Sequence, residues 1–159
     1  MLQEEGVCNK LWNEHKGNKT LNCSIIKEGK YIGYCGINNI NQEPWEIAIE
    51  LQPEWTNKGI GRCAITAMLD AMRSRLGVTE YKVKIEPTNA PSQKLFEKLG
   101  AVPDRIEEWL LHDPQALERC EKENLDLLDE NMIEVAKKFS VEPQKLLSHV
   151  LAYRLHWKA

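Results

Sequence analysis

The most constraining feature of this 159-residue sequence is a strand-like stretch that runs through a glycine-containing turn into a helical stretch. From Trp45 to Leu51, apolar and polar residues alternate, which is the pattern of a strand with one buried face. From Gly61 to Leu76 the apolar residues recur at helical spacing, and Gly77 stands where a C-capping glycine belongs. The turn between them, Lys58-Gly59-Ile60-Gly61-Arg62, therefore joins a strand to the start of a helix.

This turn has the chemistry of an anion-binding site. A helix N-terminus presents unpaired N–H groups and the positive end of its dipole, and glycines let an anion approach the backbone closely. Lys58 and Arg62 add positive charge. The pattern is neither a Walker motif, since no Gly-Lys-Ser/Thr follows, nor a dinucleotide fingerprint, since Ile65 and Thr66 occupy the region of a third glycine. From the turn alone, anion binding and ordinary turn chemistry are equally good interpretations.

The residues around the turn predict a mixed sheet with helices packed on it. Further strand-like runs are Leu21 to Lys27, Tyr31 to Ile37 and Tyr81 to Ile85, short helical runs are Val7 to His15 and Pro91 to Leu99, and Glu28-Gly29-Lys30 reads as a hairpin turn. Gly33 and Gly36 indicate a bulge or a close backbone approach in the second run. The central order β-β-β-α-β-α implies a mixed sheet.

The C-terminal part of the sequence has a helical character. An apolar stripe runs from Leu125 to Phe139, and a second amphipathic helix is predicted from about Pro143 to Trp157. Pro143 separates the two because the residue before a proline is pushed out of helical geometry. We therefore divide the chain into residues 1–112 and a helical extension of residues 113–159. The extension could pack on the same domain, on a dimer partner or over the mouth of an active site.

Composition and charge exclude several classes of protein. The formal net charge of -3 argues against a protein that coats nucleic acid, and no apolar run approaches the roughly 20 residues of a membrane span. The five cysteines are scattered and odd in number, which favours reduced thiols over a disulfide framework. The four histidines lack metal-ligand spacing, so no metal site is expected. With its acidic N-terminus, the chain is expected to be cytoplasmic.

Two segments together resemble the GNAT acetyltransferase superfamily, and most closely its ribosomal-protein alanine acetyltransferase branch (RimJ/RimL type). The first runs from Pro53 through Gly61, and the second is Asn89-Ala90-Pro91-Ser92 continuing to Leu99-Gly100-Ala101. The likeness covers roughly Leu21 to Arg105. It implies an α+β fold, with a mixed, mostly antiparallel sheet, flanking helices and the C-terminal helices in addition.

The resemblance also implies a co-substrate, acetyl-CoA. In that family the backbone N–H groups of the turn hold the pyrophosphate, which here are those of Lys58, Gly59, Ile60, Gly61 and Arg62. The strands before and after the long helix splay apart, and the pantetheine arm pairs with backbone near Ile49, Leu51 and Gln52. Asn89 and Ser92 are expected beside the thioester sulfur, and Phe96 stands where many members place a tyrosine.

Candidate groups for the chemistry follow from the same comparison. Acyl transfer from a thioester to an amine needs a base for the amine and a proton source for the leaving thiolate. Glu46 is the first candidate base, Glu50 on the same strand face is the second, and Glu86 is the third. The alternative interpretation is that these carboxylates simply face solvent. Because Phe96 cannot donate a proton, Ser92 or solvent takes the place of the usual tyrosine.

Three departures from the family pattern shape the functional prediction. Phe96 replaces the tyrosine, Thr56 stands where Gln or Arg is common, and only about 20 residues precede Leu21. The leading hypothesis is an N-acetyltransferase that binds acetyl-CoA and an amine acceptor, without nucleic acid or membrane and with a homodimer as one arrangement. The alternative is a catalytically impaired CoA-binding or interaction module. A third hypothesis is a helical interaction protein whose residues 114–157 hold a partner.

Overall fold

A computed structural model describes residues 19–158, which form an α+β fold of six strands and four α-helices. The strands are β1 Leu21–Lys27, β2 Lys30–Asn38, β3 Trp45–Leu51, β4 Glu80–Ile85, β5 Val102–Glu108 and β6 His149–His156. The helices are α1 Ile60–Leu76, α2 Ala90–Lys98, α3 Pro114–Glu123 and α4 Glu130–Phe139, and short 3₁₀ turns cover Pro53–Trp55, Leu125–Leu127 and Pro143–Leu147. The predicted helix from Val7 to His15 lies outside the described residues.

The strands are hydrogen-bonded in the order β1-β2-β3-β4-β6-β5, which confirms the mixed, mostly antiparallel sheet. The chain divides into two compact units. The first holds the described residues up to Lys82 together with His156 and the residues after it, and the second runs from Val83 to Leu155. None of the helices between residues 19 and 158 combines the length and apolarity that a membrane span requires.

The first unit is built on the predicted β1–β2 hairpin. Its turn places Glu28 at φ 52° and Gly29 at φ 76°, the left-handed backbone that two-residue hairpin turns need. The predicted close approach in β2 is confirmed, because a Cβ at Gly33 would lie 2.1 Å from the backbone oxygen of Glu50 on β3. At Gly36 a Cβ would lie 2.2 Å from the backbone oxygen of Leu21. Glycine therefore lets β2 sit tightly between its neighbours.

Helix α1 covers this part of the sheet as its apolar spacing predicts. It packs on β2 and β3, and its buried residues are Gly61, Ile65, Met68, Leu69 and Met72. Gly77 adopts the left-handed conformation at φ 70°, and its N–H donates to the carbonyl of Arg73 over 3.0 Å, so the predicted C-cap is confirmed. After the helix, β4 runs parallel to β3, with Trp45 opposite Tyr81 and Glu46 opposite Lys82.

The second unit joins β5 and β6 to three helices. The two strands pair antiparallel, with Val102 opposite Arg154 and Glu108 opposite His149. Helix α4 packs against β5 through an apolar face that includes Met132, Ala136 and Phe139. The core is completed by fully buried side chains of α2 and β6, namely Phe96, Leu151, Tyr153 and Leu155.

The prediction of a second C-terminal helix from Pro143 to Trp157 is wrong. The segment forms a 3₁₀ turn over Pro143–Leu147 and then strand β6 over His149–His156. Residues 150–153 are all buried, so this strand is covered on both faces. A strand buried on both faces has a continuous apolar run, which cannot be told from a buried helical segment by periodicity. The extension is therefore not purely helical, and the proposed division after residue 112 stays a prediction.

Two smaller differences concern the neighbouring elements. Strand β5 was not predicted, because Pro103, Asp104 and Arg105 give it a polar, exposed sequence with little β-propensity. The apolar stripe predicted to start at Leu125 begins with a 3₁₀ turn, and helix α4 starts only at Glu130. The side chain of Asp129 fixes that start by accepting a hydrogen bond from the N–H of Met132 over 2.8 Å.

Candidate functional site

The glycine turn before α1 has a backbone that only a few residue types adopt easily. Asn57 lies at φ 57° and Gly59 at φ 76°, both in the left-handed region. Glycine has no Cβ penalty there, and asparagine is among the best tolerated of the other residues. Gly59 is the N-cap of α1, and its carbonyl accepts the first helical hydrogen bond from Cys63 over 3.1 Å. The chain thus turns sharply out of the 3₁₀ turn and into the helix.

The start of α1 is open to an anion. Its N-cap, Gly59, has no side chain that could cap the free N–H groups, and the first turn carries no acidic residue. A Cβ placed at Gly59 would meet nothing within 4 Å, so the approach to the backbone is clear. Lys58 and Arg62 are both exposed beside it. Unpaired N–H groups, the helix dipole and two cations therefore act in the same direction.

Strand β3 leads into this turn within the same unit, and the residues predicted to contact pantetheine lie on it or directly after it. Ile49 lies opposite Cys35 and Leu51 opposite Gly33 in the pairing with β2. Gln52 follows the strand, and its N–H donates to the carbonyl of Ile32 over 2.9 Å. The contact of these three residues with pantetheine stays a prediction.

The candidate bases differ in their surroundings. Glu46 is half-buried on β3, opposite Asn38 of β2 and Lys82 of β4. Glu50 is exposed on the same strand, opposite Tyr34. Glu46 is therefore the more shielded of the two carboxylates, and its role as the first candidate base stays a prediction.

The remaining predicted site residues lie in the second unit. Asn89 is the N-cap of α2, and its side-chain oxygen accepts a hydrogen bond from the N–H of Ser92 over 3.1 Å. Ser92 is half-buried, and within the described residues its hydroxyl forms no hydrogen bond. Phe96 is only 1% exposed and belongs to the core. Glu86 is exposed just after β4. The catalytic and cofactor roles of these residues stay predictions.

Sequence reasoning missed two polar anchors of helix α2. Gln93 is buried, and its side chain donates to the carbonyl of Pro87 over 2.9 Å, which fixes the loop before the helix. The hydroxyl of Tyr153 donates to Glu97 over 3.0 Å, and burial together with that carboxylate raises the pKa of Tyr153 well above its usual range. The tyrosine was overlooked because its strand had been predicted as a helix. The one signal for Gln93 in the sequence is that it is a polar residue on the core-facing side of α2.

Among the described residues, no three His, Cys, Asp or Glu side chains are grouped as metal ligands would be.

Comparison with known proteins identifies the class to which this arrangement belongs. The acetyltransferase (GNAT) domain family matches residues 2–102, which is more than half of the chain. The protein belongs to the GNAT acetyltransferase domain family. The matched region contains the turn, the β3 strand and helix α2 described above.

Individual relatives are more distant. The uncharacterized N-acetyltransferase p20 of Bacillus licheniformis is 35% identical over 79 residues, which are 48% of this chain and 44% of the relative. The [ribosomal protein bS18]-alanine N-acetyltransferase of Escherichia coli K12 is 24% identical over 91 residues, covering 57% of this chain and 61% of the relative. The chain thus matches about half of the length of these relatives.

Solved structures agree with the fold. RimJ of Mycobacterium smegmatis, in complex with CoA-disulfide, superposes with a TM-score of 0.63 at 15% identity, and the match covers 96% of this chain and 60% of that protein. At this level of identity the similarity concerns the fold alone.

Proposed function

We propose that this protein is an acetyl-CoA-dependent N-acetyltransferase that transfers an acetyl group to an amine. The observation that carries the proposal is the open, glycine-shaped N-terminus of α1, which follows β3 in a chain of the GNAT acetyltransferase domain family. A turn of this kind suits the pyrophosphate of CoA, because its anionic oxygens are complementary to free backbone N–H groups. CoA in the complex with RimJ is consistent with this choice of ligand.

Residues of the glycine turn and of β3 would hold successive parts of the co-substrate. The N–H groups of Ile60, Gly61 and Arg62 are in the first turn of α1 and have no partner within the helix, so they are the proposed pyrophosphate donors. The side chains of Lys58 and Arg62 would balance the phosphate charge. The pantetheine arm would then follow the backbone of β3 from Gln52 toward Ile49.

Acetyl-CoA supplies the acetyl group as a thioester, and the protein supplies the proton transfers. The amine nucleophile must lose a proton when its nitrogen bonds to the carbonyl carbon, and we assign Glu46 as the acceptor of that proton, directly or through a water. The bond between carbon and sulfur breaks, and the sulfur needs a proton. Ser92 is the proposed donor, with solvent as the substitute. Glu50 and Glu86 are secondary candidates for the base.

Binding is tested first. Isothermal titration of CoA and acetyl-CoA into the full chain should give saturable binding, and no detectable binding near millimolar ligand would overturn the proposal. Gly59→Val should weaken binding strongly, because a β-branched side chain is strained at φ 76° and covers the backbone. Gly29→Val is the matched control, since that glycine has the same φ of 76° but lies in the hairpin turn.

Catalysis is tested separately by the release of the free CoA thiol in the presence of an amine panel. The panel should include peptides that begin with alanine and simple polyamines. Glu46→Gln is expected to lower kcat by about 10² or more, in line with the loss of a general base. The matched control is Glu118→Gln, an exposed carboxylate on α3 that is not among the candidate bases.

The second candidate function is a CoA-binding module without catalysis. It is favoured by Phe96, which is buried in the core and offers no hydroxyl. Tight CoA binding together with an unchanged rate of thiol release across the whole amine panel would support this candidate and reject the transferase.

We further propose that the protein acts in the cytoplasm on an amine acceptor, without nucleic acid or membrane. The four cysteines of the described part are free thiols, as is typical of reducing compartments. A homodimer would cover three exposed apolar side chains, namely Leu125 and Leu127 of the 3₁₀ turn before α4 and Ile133 of α4 itself. Sedimentation of the wild type against a variant with these three residues changed to Gln tests that arrangement.

A further inference from the structure

Two lysines from separate elements lie over one indole ring beside the glycine turn. The Nζ atom of Lys58 is 5.1 Å from the centroid of the Trp55 ring, and the Nζ atom of Lys27 is 5.5 Å from it. Lys27 ends strand β1, Trp55 ends the 3₁₀ turn Pro53–Trp55, and Lys58 belongs to the glycine turn. All three residues belong to the first unit. One aromatic ring thus connects the β1–β2 hairpin with the turn.

Both lysines are placed for a cation–π interaction with the Trp55 ring. A cation within about 6 Å of a ring centroid is attracted by the ring quadrupole, and tryptophan is the best of the aromatic residues. Trp55 is half-buried, whereas both lysines are exposed. The partly buried ring is therefore the fixed member of the group, and the two flexible side chains are ordered on it.

The positive charges of Lys27 and Lys58 are available to an anion. Within residues 19–158, neither Lys27 nor Lys58 takes part in an ion pair. Two like charges gathered at one ring repel each other, and a nearby anion relieves that repulsion. The backbone N–H groups at the start of α1 favour an anion at the same turn.

We propose that Trp55 is a positioning residue for the anion site, which holds the ammonium groups of Lys58 and Lys27 beside the turn before the ligand arrives. This inference rests on the proposed function, in which the phosphates of CoA occupy the turn. A lysine that is already ordered loses less side-chain freedom on binding than a free one. The ring therefore improves affinity although it does not itself carry a charge.

The first test compares tryptophan variants of the full chain by titration with CoA. Trp55→Leu is expected to weaken CoA binding about three- to tenfold, which corresponds to the loss of one or two exposed cation–π contacts. Trp55→Phe keeps a ring and is expected to fall between the wild type and Trp55→Leu. Trp109→Leu, an exposed tryptophan of the second unit, is the matched control and should bind as the wild type does. Unchanged affinity of Trp55→Leu would overturn the inference.

A double-mutant cycle separates positioning from simple packing. Lys58→Met should weaken CoA binding in the wild type and should weaken it less in the Trp55→Leu background, because the lysine is no longer held there. Strictly additive effects contradict a positioning role. Lys27→Met is treated in the same way, with Lys30→Met as its control, since Lys30 lies opposite Lys27 in the hairpin but not over the ring.

A measurement without ligand completes the test. Lysine side-chain protons over an indole ring are shifted upfield in the NMR spectrum, and the shifted signals should disappear in Lys58→Met and Lys27→Met. This experiment needs no change at Trp55, so it holds even if the tryptophan variants fold poorly. Unshifted signals overturn the inference. A wild type that fails to bind CoA overturns the proposed function, whereas a wild type that binds CoA and is indifferent to Trp55 overturns the positioning role alone.

Discussion

The hydroxyl of Tyr153 on β6 donates a hydrogen bond to the carboxylate of Glu97 on α2 over 3.0 Å, and the same carboxylate oxygen accepts one from Lys138 of α4 over 2.6 Å. One carboxylate therefore joins a strand and two helices of the second unit. The tyrosine ring also meets Phe139 edge to face, with the ring centroids 5.2 Å apart. Asn89 caps the N-terminus of α2, and the Tyr153–Glu97 hydrogen bond lies near its C-terminal end. Together they hold both ends of the helix that carries Ser92.

The first prediction concerns this anchor. Tyr153→Phe removes the hydroxyl without changing the packing of the ring, and we expect a loss of about 1.5–3 kcal/mol in the free energy of unfolding, the usual range for a hydrogen bond to a charged partner. Urea denaturation measures it. In the Glu97→Gln background the loss should be smaller, because the charge on the acceptor is gone. Equal losses in the two backgrounds would mean that the hydroxyl is not coupled to Glu97.

The second prediction compares two glycines of the hairpin. Gly36→Ala should destabilise the fold by several kcal/mol or prevent folding, because the new Cβ would lie 2.2 Å from the backbone oxygen of Leu21. Gly29→Ala meets nothing within 4 Å and should cost only about 1–2 kcal/mol for its left-handed conformation. Thermal unfolding of both variants decides the order, and a milder effect at Gly36 than at Gly29 would contradict the strand spacing.

The third prediction uses the buried carboxylate of Glu121. Burial opposes its ionisation, but hydrogen bonds from Ser148 and Lys145 and the positive charge of Lys145 outweigh burial, so the pKa of Glu121 is lowered below its ordinary value of 4.5. A lowered folded-state pKa means that the ionised carboxylate stabilises the fold above the unfolded-state value, and that this contribution is lost as the pH falls through the folded-state value. Acid should therefore destabilise the wild type.

Denaturation of the wild type and of Glu121→Gln from neutral pH to about pH 3 tests this linkage. The variant should be the less stable protein at neutral pH, and the difference between the two should shrink as the pH falls below 4.5. Glu123→Gln on the same helix is the control, since that side chain is exposed and forms no ion pair among the described residues. A constant difference across the pH range would show that folding does not lower the pKa of Glu121.

The fourth prediction concerns thiol reactivity. Burial, with a smaller effect of the neighbouring Cys23, raises the pKa of Cys35 to about 11. Cys63 on α1 is exposed. Because the thiolate is the reactive form, iodoacetamide near neutral pH should modify Cys63 and leave Cys35 untouched until the protein is unfolded in urea. Peptide mass spectrometry measures both sites, and equal labelling in the folded protein would contradict the burial of Cys35.

The elements around the turn could be predicted because their signals are local. Alternation from Trp45 to Leu51 marked β3, and Gly77 marked the end of α1. The glycines of β2 indicated a close backbone approach that the strand spacing confirms. In α1 the buried residues recur at helical spacing, so the pattern of side chains records the buried face directly.

The site could be predicted in part. Glycines and cations are visible in the sequence, but the left-handed conformation of Asn57 is not, since asparagine adopts it only where the surrounding turn requires it. The cation–π group at Trp55 joins residues 27, 55 and 58, and Lys27 reaches the ring only because the hairpin folds back beside the 3₁₀ turn. No spacing in the sequence encodes that contact.

The sequence by itself determined the unit of strand, glycine turn and helix, and with it the family, because these features depend on neighbours only a few residues away. The tertiary structure determined the secondary structure of residues 149–156. Their apolar run fits a helix as well as a strand, and pairing with β5 selects the strand, because only then are both faces buried and the backbone hydrogen bonds satisfied. That choice places the hydroxyl of Tyr153 against the carboxylate of Glu97.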